Sequence, residues 1–219
     1  MSNTRSEDPS LSYMLLRKAI GILGVSFPFI LFFGCLLSGY CKPFQGSVSC
    51  YYHTPMRNVF EGVLWIFGTF LLFYRYEKVD NIATTCAGIC ALGVALFPCL
   101  MNNCGCEPGE DGDKLIGNIH LAFAGTFFII LGGVSIFLFT KRDPALKPTA
   151  RKLMRNKIYI VCGILMWLSI VLCAVYIFLL QHKFEALDAI HPITWLEAVA
   201  LWSFGLSWLT KGEVILKDV

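Results

Sequence analysis

Six apolar runs govern what this chain can fold into. They cover residues 17–38, 58–75, 81–101, 116–140, 157–180 and 193–210. A helix needs about 20 mainly apolar residues to cross a hydrocarbon core of about 30 Å. Lipid offers the backbone no hydrogen-bond partner, so each run is predicted to be helical. The runs do not alternate apolar and polar residues as the strands of a membrane barrel would. Composition agrees: 56% of the 219 residues are hydrophobic and 15% are charged, against roughly 45–50% and about 25% in soluble globular chains. The expected architecture is all-α. It is a polytopic membrane helix bundle of six transmembrane helices, arranged as three hairpins (1–2, 3–4 and 5–6) in a single domain over 1–219. Gly88, Gly93, Gly125, Gly132 and Gly133 are expected to let helices approach closely.

Charge sets the orientation. Fourteen of the 18 Lys and Arg residues fall in the N-terminal tail, the 2–3 and 4–5 connections and the C-terminal segment. By the positive-inside rule both termini are cytoplasmic. The first run lacks a small-residue cleavage motif and reads as a retained helix. The basic 141–157 connection is a topology determinant. It could also attract anionic lipid, at about 1 kcal/mol per basic residue. Membrane lipids are therefore the expected partners, and the small net charge of +3 gives no reason to expect nucleic acid.

With that topology, helices 2, 4 and 6 all begin on the outer side, and each begins with polar residues. Helix 2 opens with Tyr52, His53, Arg57, Asn58 and Glu61. Helix 4 opens with Asn118 and His120, and helix 6 with His191, Thr194 and Glu197. All four histidines, including His182, fall on this side. Arg57 and Glu61 are four apart and share a helix face. An ionisable residue inside an apolar run costs on the order of 2–3 kcal/mol at the helix centre and normally faces the bundle interior. Tyr52, His53, Arg57, Asn58, Glu61, Asn118, His120, His191 and Glu197 are therefore the candidate ligand-binding set for a lipid head group or small solute, with the protein acting in binding or sensing. The alternative is a membrane-embedded, zinc-dependent lipid amide or ester hydrolase. There His53, His120 and His191 would hold the metal and Glu61 or Glu197 would act as ligand or base. No two histidines stand three or four apart, so no local ligand pair supports it.

Ten cysteines are present. Cys35, Cys86, Cys90, Cys99, Cys162 and Cys173 lie within apolar runs and read as packing residues. Cys41, Cys50, Cys104 and Cys106 lie in the two outward connections, where an oxidising exterior permits disulfides. Cys104 and Cys106 are too close in sequence for an easy bridge, so cross-loop pairing is favoured, with free thiols as the other reading. The acidic 102–113 segment lacks the spacing of a calcium loop.

The stretch Tyr51-Tyr-His-Thr-Pro-Met-Arg57-Asn-Val-Phe-x-Gly62, then Asp80-Asn-Ile-Ala83 and Gly93-Val-Ala-Leu-Phe-Pro98, resembles a group of bacterial six-helix integral membrane proteins of uncharacterised activity. The ending Trp195-Leu-Glu197 through Phe204-Gly-Leu-Ser-Trp208-Leu-Thr-Lys211 is similar to the same group. That resemblance implies a bacterial inner-membrane location. Ser49-x-x-x-His53 resembles the Ser/His element of the CREST membrane hydrolases, which implies zinc-dependent hydrolysis. That superfamily also expects seven helices, an intramembrane Asp and a late His-x-x-x-His pair. This chain has six runs, no Asp within them and no such pair.

Overall fold

A computed structural model describes residues 9–75, 78–100, 104, 106, 114–142, 147–181, 183 and 189–217. Among them the chain is all helix and loop. The elements are α1 (Pro9–Leu37), a short 3-10 turn (Ser49–His53), α2 (Arg57–Phe73), α3 (Lys78–Leu96), α4 (Lys114–Gly133), α5 (Ala150–Val175) and α6 (Pro192–Lys211). Single π-helical turns extend α4 over Val134–Leu138 and α5 over Tyr176–Leu180. Thr149 caps α5 by accepting the Lys152 N–H at 3.1 Å, which satisfies one of the donors a helix start leaves open. His182 and most of the acidic 102–113 segment lie outside the described residues.

The six expected helices form, and among the described residues four segments have the length and apolar character of a membrane span. Residues 13–37, 79–96, 114–138 and 150–180 are long and apolar enough to cross a membrane. α2 has only 17 residues. α6 has 20, but Thr194, Glu197, Ser203, Ser207 and Thr210 dilute its apolar character. The four long segments leave large apolar side chains on their outer faces, among them Leu37, Ile82, Phe137 and Phe178. Water would penalise that surface, and it is consistent with a membrane protein.

The hairpin arrangement needs a correction. α3 packs on α4 and α5 on α6, as expected, but α1 lies along α6 and only lightly on α2, while α2 lies along α3. Apolar pattern gives each helix an inner face without specifying its neighbour. Backbone approach decides it here. A Cβ on Gly205 would meet the Gly21 carbonyl and the Val25 N–H at 2.7 Å, and one on Gly88 would meet the Gly68 carbonyl at 2.8 Å. Gly93 and Gly132 abut Phe123 and Trp167, but nothing lies within 4 Å of a Cβ on Gly125. Gly125 therefore mediates no such approach. At the centre, Phe204 meets Phe67 at 5.2 Å between ring centres, and Trp208 meets Phe139 and Tyr74, each at 5.1 Å.

The two ends differ in chemistry. At one end Asp80 pairs with Lys141 at 2.8 Å, Arg17 donates to the Tyr74 hydroxyl at 2.9 Å, and Arg155 faces Glu213 at 3.8 Å. At the other, residues 38–56 fold over the bundle. Gln45, Val48, Ser49, Cys50 and Tyr51 of this segment are buried. The Thr194 hydroxyl at the start of α6 donates to the Gln45 carbonyl at 2.6 Å. Cys41 pairs with Cys106 and Cys50 with Cys104, with Cα–Cα distances of 6.0 and 5.0 Å. The cysteines in the two connections thus pair across them.

Replacing Gly205 by Val should lower stability by about 1–3 kcal/mol, the usual cost of overpacking. Gly125→Val should change it little. Thermal unfolding of both variants in detergent checks the pair, and equal midpoints would contradict the α1–α6 contact.

Candidate functional site

The segment between α3 and α4 explains the site. Pro98 cannot continue a helix, and α3 ends at Leu96. The carbonyls beyond that end need donors where water is scarce. Two histidines supply them: His120 Nδ1 donates to the Phe97 carbonyl at 2.7 Å, and His53 Nε2 donates to the Cys99 carbonyl at 2.8 Å. With Nδ1 committed, His120 Nε2 is buried and makes no hydrogen bond among the described residues.

Glu197 performs the matching task on the other side. Its Oε2 accepts the Val48 N–H, and its Oε1 accepts the Ser49 hydroxyl at 3.4 Å. The carboxyl thus tethers the start of the 3-10 turn to α6. Within the same cap, the Tyr51 hydroxyl donates to the Pro43 carbonyl at 2.9 Å. Burial pushes the Tyr51 phenol up, so it keeps the proton it donates. His191 turns the chain into α6 with a left-handed backbone (φ 50°), followed by Pro192 in the first helical turn. Its ring packs beside Phe44 at 5.7 Å. Burial and the charge of Lys42 push the imidazole down from its ordinary value, so it is neutral at pH 7.

Between these groups lies a cavity of about 180 Å³. Ser47, Ser49, Asn118, His120, Tyr176, Gln181, His191 and Glu197 supply its polar wall, and Leu121 and Phe178 stand among its apolar residues. Leu121 and Phe178 are also exposed on the outside of the bundle. Among the described residues no Lys or Arg lines it.

The expected site therefore divides. Asn118, His120, His191 and Glu197 come together. Tyr52, Arg57, Asn58 and Glu61 do not join them and form a separate cluster on the rim. There Arg57 Nε donates to Glu61 at 2.7 Å, Nη2 donates to the Tyr52 hydroxyl at 2.6 Å, and the guanidinium lies 4.3 Å from the Tyr52 ring centre. The Arg57 side chain is 55% exposed, and Asn58 is exposed. This is a surface pair, worth roughly 0–1 kcal/mol.

The expected zinc set does not fit. Among the described residues, His53, His120 and His191 do not form a group of three with metal-ligand spacing. Two of the imidazoles are turned to backbone carbonyls. The Ser49 hydroxyl is directed at Glu197 and not at His53. The single group with metal-ligand spacing among the described residues is Cys50, Cys99 and Cys104, and two of these are joined in a disulfide. Cys99 is thus a further correction: it lies beyond α3, beside a disulfide, and not in a helix interior. Pro98 was the signal that the apolar run stops being helical before it stops being apolar. Gln181 carried no signal of its own.

Comparison with known proteins finds no matching family model, no similar curated protein and no similar solved structure.

Replacing Glu197 by Ala leaves the Val48 N–H and Ser49 hydroxyl without their acceptor and should cost about 1–3 kcal/mol. Glu197→Gln, which keeps one acceptor oxygen, should cost less, and Glu61→Ala at the exposed pair no more than about 1 kcal/mol. Detergent unfolding of the three variants measures the order. A Glu61→Ala loss as large as that of Glu197→Ala would refute it.

Proposed function

We propose that this is a six-span membrane protein, bacterial inner-membrane in location, with both termini cytoplasmic. It binds a lipid head group or small solute in the cavity bounded by α4, the end of α5 and the start of α6. The observation that carries the reading is the composition of the cavity wall. Small-molecule sites are concave, mostly apolar and furnished with a few convergent polar groups. Here one carboxyl, two imidazoles, two amides and the hydroxyls of Ser47, Ser49 and Tyr176 converge, and among the described residues no Lys or Arg accompanies them. Such a wall suits a group that donates hydrogen bonds, an amine or a neutral polar group, in preference to a bare anion. Leu121 and Phe178, exposed to the surroundings of the bundle, give an acyl chain an apolar path away from it. The shorter α2 and the more polar α6 would complete the six spans by packing between longer neighbours, since a short stretch can be matched by local thinning of the bilayer.

Two experiments test this. A reporter fused after Lys217 should read cytoplasmic, and one inserted near Gly109 should read external. The opposite result would overturn the orientation. In native mass spectrometry of the purified protein, phosphatidylethanolamine should be retained in preference to phosphatidylglycerol. Ala124→Phe, which fills the cavity, should weaken that retention roughly tenfold, or about 1.4 kcal/mol. Competition by free ethanolamine would identify a small-solute site; its failure to compete would identify the lipid. Equal retention of both lipids by the unaltered and filled proteins would sink the binding reading.

A further inference from the structure

The wall of the cavity holds a second chemistry. Cys50 and Cys99 both line it. Cys50 is bonded to Cys104, and Cys99 is a free thiol. The three sulfurs all lie within 4.8 Å of one another. Among the described residues no other sulfur joins such a group, and the Cys41–Cys106 bond has no third sulfur beside it. Cys99 is also held in place: its thiol donates to the Ser49 carbonyl at 3.2 Å, on the residue that precedes Cys50. Its own carbonyl accepts from His53, and the Phe97 carbonyl, two residues back, accepts from His120. Three hydrogen bonds thus fix a thiol against a disulfide.

We propose that Cys50, Cys99 and Cys104 form a thiol–disulfide exchange centre in which Cys99 is the internal exchanging thiol. Its substrates are low-molecular-weight thiols and their disulfides reaching the cavity. Exchange proceeds by attack of a thiolate on a disulfide sulfur. The Cys99 sulfur attacks Cys104, a Cys99–Cys104 bond forms and the Cys50–Cys104 bond breaks. The electron pair goes to Cys50, which takes up the proton Cys99 has lost. The step is an isomerisation with no net oxidation, and it leaves a thiol on Cys50 at the cavity wall. A small thiol reaches the same manifold from outside. It attacks Cys50, forms a mixed disulfide there and releases Cys104 as a thiol. Cys99 then attacks Cys50 and expels the small thiol, leaving a Cys50–Cys99 bond. The Cys50–Cys104 bond is thus exchangeable, whereas Cys41–Cys106 is a fixed staple. Exchange at this centre requires nothing else to be bound in the cavity.

Disulfide mapping by mass spectrometry after rapid alkylation tests it. In Cys104→Ser, Cys50 and Cys99 should be found bonded to each other, with Cys41–Cys106 intact as the internal control. Finding both as alkylated free thiols, with the control bond present, would overturn the proposal. A second measurement does not rely on that variant folding. Unaltered protein and Cys99→Ala are incubated with reduced glutathione and then alkylated. The mixed disulfide on Cys50 should accumulate about tenfold more in Cys99→Ala, because the resolving attack is missing. Equal accumulation would show that Cys99 takes no part.

Discussion

The Glu197 carboxyl decides whether this bundle has a closed end. It sits one turn inside α6, in a helix that is otherwise mainly apolar. A carboxyl there needs donors, because desolvation without partners costs several kcal/mol. Its donors come from Val48 and Ser49, which belong to a segment 149 residues away in sequence from Glu197. The loop 38–56 is therefore drawn down onto α6, and the two disulfides fasten the same loop to the connection after α3. The cavity exists because these tethers meet: one wall is the tethered loop and the others are α4, α5 and α6.

Glu61 shows what happens without such a loop. The neighbourhoods of the two glutamates look alike: each follows a bulky apolar residue and precedes a Trp-x-Phe-Gly element. The likeness persists in the packing. Phe67 and Phe204 touch at the centre, and Gly68 and Gly205 each admit a neighbouring helix. It fails in the polar part. Glu61 turns to the rim and finds Arg57, whereas Glu197 turns inward and finds backbone donors. One is a solvated ion pair and the other a structural tether.

Helix number and approximate position were legible because burial in lipid demands long apolar runs, and nothing else in the sequence competes with that signal. The convergence of Asn118, His120, His191 and Glu197 was legible for the same reason: alternation of direction along the bundle puts the starts of α2, α4 and α6 at one end. Three things were not. Which helices touch depends on pairs such as Gly21 with Gly205, and an isolated glycine in an apolar run looks the same whether it meets a backbone, as Gly205 does, or open space, as Gly125 does. Rim and interior could not be told apart for Arg57 and Glu61, since that depends on where the helix face points. The place of Cys99 was hidden because hydropathy runs on past Pro98 to Met101 while the helix does not.

The histidines carry the remaining step. A helix that ends within an apolar environment exposes carbonyls that water cannot serve, and imidazole is a compact donor that adds no charge. His53 and His120 serve the Phe97–Cys99 segment in this way, so their clustering at one end of the bundle has a structural cause that requires no metal. That accounting leaves a remainder. His120 uses one nitrogen and keeps Nε2, a lone-pair acceptor, buried beside the cavity with no hydrogen bond among the described residues. A buried acceptor left open costs about 1–3 kcal/mol. A donor entering the cavity would remove that cost, so the proposed preference for an amine or neutral polar ligand would rest on a specific atom.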